Sequence, residues 1–319
     1  MIHSGEEKTN GIRCRFNPSI GINFQGAKIS SDTGILLLRE IDERFGITSA
    51  LEGILQDSRN VSHTQHSCTD LLRQRVYQIA AGYEDCNDAN ELRKDPALRL
   101  ALDKNNAYAA SQSLLSRFEN KILGNLQGLH ALDGVLQRSI DPLLKREGKA
   151  RLILDLDSSE DPAHGRQEGV NYNGHFRKNC YHPLFCFTSS GICLSGKLRE
   201  GNVHSAHGAL EMLSPIVERY RKHFKQFWLR GDAAFAKPEL YAYCEAKRMT
   251  YFIRLKSNNT LKKLIEPHLE RPTGNLLKSG IQEKFIDLSY QAGSWEKPRR
   301  VVCRICLLYT SDAADDLTR

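Results

Sequence analysis

The chain has 319 residues, a net charge of +7 and 40 % hydrophobic residues, enough length for two domains and enough apolar content for an ordinary core. It holds no apolar run of membrane-spanning length and no signal-peptide core near its start, so it reads as soluble and cytoplasmic, with no membrane partner. The basic balance points to a polyanionic partner, with nucleic acid the commonest. Of nine scattered cysteines only Cys303 and Cys306 stand at Cys-x-x-Cys spacing, and no second such pair exists, which argues against a disulfide framework and fits reduced thiols. His63, His66 and Cys68 of "SHTQHSC" stand close together, but no second ligand pair follows.

In chain order, residues 1–25 are polar and read as a flexible amino terminus. Residues 26–145 read as a helical, DNA-binding region. "SSDTGILLLREIDERFG" sets Ser and Asp caps before Ile35, Leu36, Leu38 and Ile41. "CTDLLRQRVYQIAAGYED" repeats the pattern with Leu71, Leu72, Val76 and Ile79. "DANELRKDPALRLALDK" and "SQSLLSRFENKI" continue it. Arg73, Arg75, Arg93, Lys94 and Arg99 on these helices either touch phosphate or are simply solvated.

From 146 to 256 the character changes. Residues 150–157 read as a strand. "HPLFCFTSSGICLSGKLREG" reads as a hairpin about a Ser-Ser-Gly turn. Residues 206–223 form a helix with Leu210, Leu213, Val217 and Tyr220 on one face, despite Pro215. "KQFWLRGD" is a strand, Pro238 opens a helix over 238–248, and "TYFIRLK" is a strand. An antiparallel hairpin therefore precedes parallel crossovers. Residues 257–306, with "KFIDLSYQ" and "RRVVCRI", look like the start of a β-rich insertion. "RYRKHFKQF" (219–227) either tracks a phosphate backbone or is a solvated helix end.

The chemistry sits in "RLILDLDSSEDP". Strand alternation puts Asp155 and Asp157 on the face of Ile153, with Leu152, Leu154 and Leu156 opposite. A buried strand thus ends in acids, where open α/β sheets place their sites. Desolvated carboxylates need a cation, and Mg²⁺ suits a few carboxylate oxygens with room left for phosphate. "WLRGDAAF" repeats the design, with Asp232 after an apolar run and Gly231 at the turn. If the two strands are parallel neighbours, the acids converge as in-line phosphoryl transfer requires. Each acid alone serves equally well as a strand-end or helix cap. Asp-x-Asp-x-Ser after an apolar strand also fits a haloacid-dehalogenase-type phosphatase, but that fold needs a helix directly after the strand.

These features together resemble bacterial insertion-sequence transposases with a group-1 DDE domain. The resemblance spans most of 20–305 and rests on "LLRQRVYQIAAGYEDCNDANELRKDPAL", "LDLDSSEDPAHGRQEG", "LREGNVHSAHGALEML", "RGDAAFAKPELYAYCE" and "YQAGSWEKPRRVV". It implies a ribonuclease H-like mixed sheet with flanking helices and two Mg²⁺ (or Mn²⁺) ions held by two Asp and one Glu. It also implies cutting and joining of double-stranded DNA at element ends and target, a homodimer in the synaptic complex, and work at the bacterial nucleoid. The Ser pair that follows the family's first acid selects Asp157, with Asp155 the second choice. The second acid matches Asp232, and both bind metal. His164 and Gln167 are placed at the site lining. The family's Tyr-x2-Arg-x3-Glu-x6-Lys motif, which carries the third acid, has no match. The charge turns acidic in residues 307–319, which read as a non-native tail. The expectation is a carboxyl-terminally truncated and inactive transposase, or alternatively a non-catalytic DNA-binding remnant.

Overall fold

The computed structural model describes residues 12–22, 32–51, 54, 57, 59–104, 107–148, 150–163, 165, 167–269 and 281–308. It divides into two compact units after Gly148.

In the first unit, β1 (Ile12–Arg13) pairs antiparallel with β2 (Gly21–Ile22). This stretch was expected to be flexible. It folds back instead, because Cys14 and Ile22 bury among Ile35, Leu36, Tyr77 and Leu98. α1 (Ile35–Phe45) stops at Gly46, whose φ of 65° is a left-handed cap. α2 (Cys68–Ala80) opens with a capping box, Ser67 and Asp70 each accepting the other's backbone N–H. α3 (Ala89–Leu92) and α4 (Pro96–Ala101) split one expected helical stretch, since Asp95 caps a new helix that Pro96 begins. α5 (Gln112–Arg117) runs through a π-turn toward α6 (Leu126–Glu147), the longest helix described.

The buried faces of α1 and α2 keep Ile35, Leu36, Leu71 and Leu72 of the expected apolar stripes but not the rest. Ile41 and Ile79 are exposed, while Asp42, Gln74, Arg75 and Gln78 are buried. For Asp42, Gln74 and Arg75 the reason is polar pairing, whereas the Gln78 amide is buried with no hydrogen-bond partner among the described residues. Asp42 accepts from Thr48, from the Tyr77 hydroxyl at 2.8 Å and from Arg73 at 3.3 Å, so burial leaves its charge paired. Arg73 and Arg75 therefore serve structure: the first pairs with Asp42 and the second with Glu119.

The second unit is a mixed sheet with flanking helices. β3 (Arg151–Ser158) leads into a small three-stranded sheet of β4 (Asp161–Pro162), β5 (Asn171–Asn173) and β6 (Lys178–Tyr181). β7 (Leu184–Thr188) and β8 (Cys193–Lys197) form the expected hairpin. α7 (Ala209–Tyr220), β9 (Gln226–Gly231), α8 (Pro238–Ala246) and β10 (Thr250–Ile253) follow. The main sheet has the order β10-β9-β3-β7-β8, with β9 parallel to β3 and β7 antiparallel to it. This is the ribonuclease H-like arrangement. No helix returns directly after β3, which removes the architecture that the phosphatase alternative requires.

Leu152, Leu154, Leu156, Phe227, Leu229, Leu184 and Cys186 share the buried face. α7 buries Leu213, Ile216 and Val217, and Phe224 just beyond it meets Phe227 at 6.4 Å between ring centroids. Each such apolar side chain contributes about 1.5–3 kcal/mol.

α9 (Asn259–Ile265) precedes a hairpin of β11 (Ile281–Tyr290) and β12 (Arg299–Leu308). β12 thus enters the stretch expected as a separate tail. The hairpin docks on α8 through Tyr290, Trp295, Tyr241 and Leu261. It is also tied there by charge. Glu245 accepts from Arg299 Nε at 2.8 Å, Lys297 Nζ at 2.8 Å and the Tyr251 hydroxyl at 2.9 Å. The Arg299 guanidinium foremost, helped by Lys297 and Tyr251, holds this carboxyl down to about 2. A depressed carboxylate pKa adds stability above its unfolded value that is lost as pH falls toward the folded one. Glu245→Gln should therefore lower the melting temperature at pH 7, with the gap narrowing below about pH 4 and closing near pH 2. Melts at a series of pH values test this, and a gap independent of pH would contradict it.

Candidate active site

β3 turns Ile153, Asp155 and Asp157 away from its leucine face. In the parallel ladder, Leu156 lies opposite Gly231. Asp157 and Asp232 are therefore the next residues on neighbouring strands, whose backbones run about 4.8 Å apart. Both acids leave the sheet at its carboxyl edge and both are exposed. Asp157 accepts from the Ser158 N–H at 2.8 Å. Asp232 accepts from the Ala234 N–H at 2.9 Å and caps the 3-10 turn Ala233–Phe235. The capping role and the convergence thus coexist in one residue. Gly231 is needed because a Cβ there would meet the Phe235 ring at 3.2 Å.

Asp155 is differently placed. Arg230 faces it in register and donates from Nε and Nη2 to its two oxygens, each at 2.5 Å. That bond raises the guanidinium pKa. Such a bidentate pair fixes the orientation of the carboxylate and competes with another cation for its oxygens. The side chains are 27 % and 50 % exposed, so the pair contributes at most about 1 kcal/mol. Arg230 was not singled out from the sequence, although its position two before Asp232 puts it on the acids' face.

Asp157 and Asp232 have no cationic partner among the described residues. Their free oxygens suit one divalent ion that keeps several waters. Among the described residues no group of three or more His, Cys, Asp or Glu is placed to hold a metal. The donor set thus fits one shared ion, and no third carboxylate completes a two-ion site there. Gln167 accepts from the Tyr181 hydroxyl at 3.4 Å, which ties it to the small sheet. His164 lies outside the described residues. A cleft beside the acid edge is lined by Glu160, Pro183, Phe185 and Leu198, and Phe185 pairs with Asp157 across the ladder.

Sequence reasoning also missed a buried knot at this edge. Ser159 N–H donates to Pro183 O at 3.1 Å. Next to Pro183, His182 donates its backbone N–H to Arg199 O at 3.0 Å, and Arg199 Nε returns a bond to His182 O at 2.7 Å. Arg199 Nη1 reaches the carbonyls of His204, Ser205 and His207, at 3.4, 3.0 and 2.5 Å. Burial lowers the pKa of both Arg199 and His182. An isolated arginine in "KLREGN" gives no periodic signal of burial.

The sequence model of the family "Transposase DDE domain group 1" matches residues 12–312. That match runs past Ile305, where the resemblance was expected to end. The chain is similar to the piggyBac transposase in a synaptic complex with hairpin DNA. Identity is 12 %, coverage is 84 % of this chain and 60 % of that one, and the TM-score is 0.40. It thus spans about 60 % of that protein's length. It is also similar to the Mos1 mariner paired-end complex with Mn, at 10 % identity, 72 % and 79 % coverage and a TM-score of 0.24. A Mos1 paired-end complex with the left transposon end gives 12 %, 77 % and 81 %, and 0.24. No curated protein matches at a significant level.

Proposed function

The chain belongs to the transposase DDE domain group 1 family, and from that premise we propose that it acts on double-stranded DNA as the core of a bacterial insertion-sequence transposase. DDE transposases generally use divalent metal ions. Asp157 and Asp232 would hold the ion, and Mg²⁺ or Mn²⁺ there supplies positive charge against the anionic phosphoryl oxygens. The reaction is hydrolysis of a phosphodiester at the element end, after which the freed 3′-hydroxyl attacks target DNA. The two carboxylates set the edge against which the scissile phosphate is oriented. Asp155 braces β3 to β9 through Arg230 and takes no part in the chemistry. Joining two ends calls for a homodimer on the DNA, working at the nucleoid. The observation that carries this reading is the adjacent placement of Asp157 and Asp232 on parallel neighbours.

A second, finer reading is that this chain by itself holds DNA without cutting it. The absence of a third carboxylate at the pair, among the described residues, favours it.

Titration with Mn²⁺, followed by electron paramagnetic resonance, tests the site. Asp157→Asn and Asp232→Asn should each abolish the bound-ion signal, and Asp155→Asn should keep it. Loss confined to Asp155→Asn would transfer the metal role to that residue.

A further inference from the structure

Three loops leave the sheet at the edge that carries the acids. β8 runs in the same direction as β3, β9 and β10, because each of β7's ladders is antiparallel. The loop after β8 carries His204, the loop after β9 carries Lys237, and the loop after β10 carries Lys256. His204 and Lys256 are exposed and Lys237 is half-buried. Neither lysine has a carboxylate partner among the described residues. Both stand close enough to His204 to act on it: burial first, then Lys237 and Lys256, lower its pKa.

The imidazole is oriented as well. The Ala206 N–H donates to His204 Nδ1 at 3.1 Å, so the ring proton sits on Nε2 and leaves that atom as a donor. The loop is held from beneath. Arg199 binds the carbonyls of His204, Ser205 and His207, and His182 Nδ1 bonds Val203 O at 3.0 Å. Gly201 lies directly against the β5–β6 backbone, where a Cβ would meet Cys180 O at 2.0 Å. A rigid, buried support thus holds the directed N–H of His204, and two ammonium groups lie on loops at the same sheet edge as the two carboxylates. Bare carboxylates repel a phosphodiester, and cations next to them offset that repulsion. Lysines act on phosphate as point charges and need no fork geometry.

We propose that His204, Lys237 and Lys256 form a clamp for one phosphate of the DNA backbone beside the Asp157–Asp232 pair, with Arg199 as the positioning residue of its loop. This rests on the reading that the chain acts on DNA.

The test is fluorescence anisotropy with the full chain and a short labelled duplex of arbitrary sequence, from about 50 to 200 mM salt. Removing the clamp by Lys237→Ala with Lys256→Ala should weaken binding and flatten the slope of log K against log salt by roughly one to two. Lys222→Ala with Lys225→Ala removes the same charge just before β9, at the opposite end of the sheet, and should flatten the slope less than the clamp pair does. Equal losses in the two pairs would mean that binding follows total charge, and the clamp falls. An unchanged slope in the first pair also overturns it. No binding by the parent chain would sink the DNA-acting reading itself, a distinguishable failure. Arg199→Lys should flatten the slope in the parent but not in the Lys237→Ala, Lys256→Ala background. Equal flattening in both backgrounds would show that Arg199 does not act through the clamp.

Discussion

Duplex DNA bearing the element's ends is expected to stay uncut when this chain is supplied with Mg²⁺, with metal and DNA binding both expected to persist. Two-metal phosphoryl transfer stabilises the attacking and leaving oxygens together. Asp157 and Asp232 suit one ion, and among the described residues no third carboxylate joins them. Asp155 is held bidentately by Arg230, which competes with a metal for its oxygens. Removing one member of a unit that acts together typically costs on the order of 10^4–10^6 in rate. A loss of that size puts nicking below detection on a denaturing gel of end-labelled strands. Nicking that disappears in Asp232→Asn would overturn this expectation, and would show that two carboxylates suffice.

Much of the site was legible because it follows from local periodicity. A period of two sends Asp155 and Asp157 opposite Leu154 and Leu156, and the burial along β3 alternates accordingly. The Ser-Ser-Gly turn, with Gly191 at φ 84°, and the Pro238 helix start are likewise local. What alternation does not encode is which strands become neighbours. That β9 lies beside β3 with Leu156 against Gly231 comes from long-range pairing, and this register sets Asp157 next to Asp232 and Asp155 against Arg230. The small sheet has no signature in the sequence, because "NYN" and "KNCY" are short and carry no apolar period. α6 was not distinguished within the general helical pattern, since Gly128, Gly134 and Pro142 interrupt it. The polar core around Asp42 shifted the buried faces of α1 and α2 part of the way round, because a charged side chain is buried wherever its partners are, and partners distant in sequence leave no local trace.

Gly201→Ala should be the most damaging single substitution near the site. The position has no left-handed φ, so the cost is steric and not conformational. A Cβ would come within 2.0 Å of Cys180 O and 2.4 Å of Asn171 O, two carbonyls of the paired β5–β6 hairpin. Backbone cannot swing aside as a long side chain would. The Gly201 carbonyl also accepts from buried Asn173 Nδ2 at 2.6 Å, a bond that any shift of the loop breaks. Overpacking costs about 1–3 kcal/mol, and the stranded amide places this case near the top of that range. A loss of about 3 kcal/mol lowers the melting temperature of a unit this size by roughly 6–12 °C. Gly174→Ala is the control, because nothing lies within 4 Å of a Cβ there, and its melt should match the parent. The same displacement would carry His204 away from Lys237 and Lys256, so any folded Gly201→Ala protein should also bind duplex DNA with a flattened salt slope. A variant that melts with the parent would show that the loop does not press on the hairpin, and would take away the rigid support on which the phosphate clamp depends.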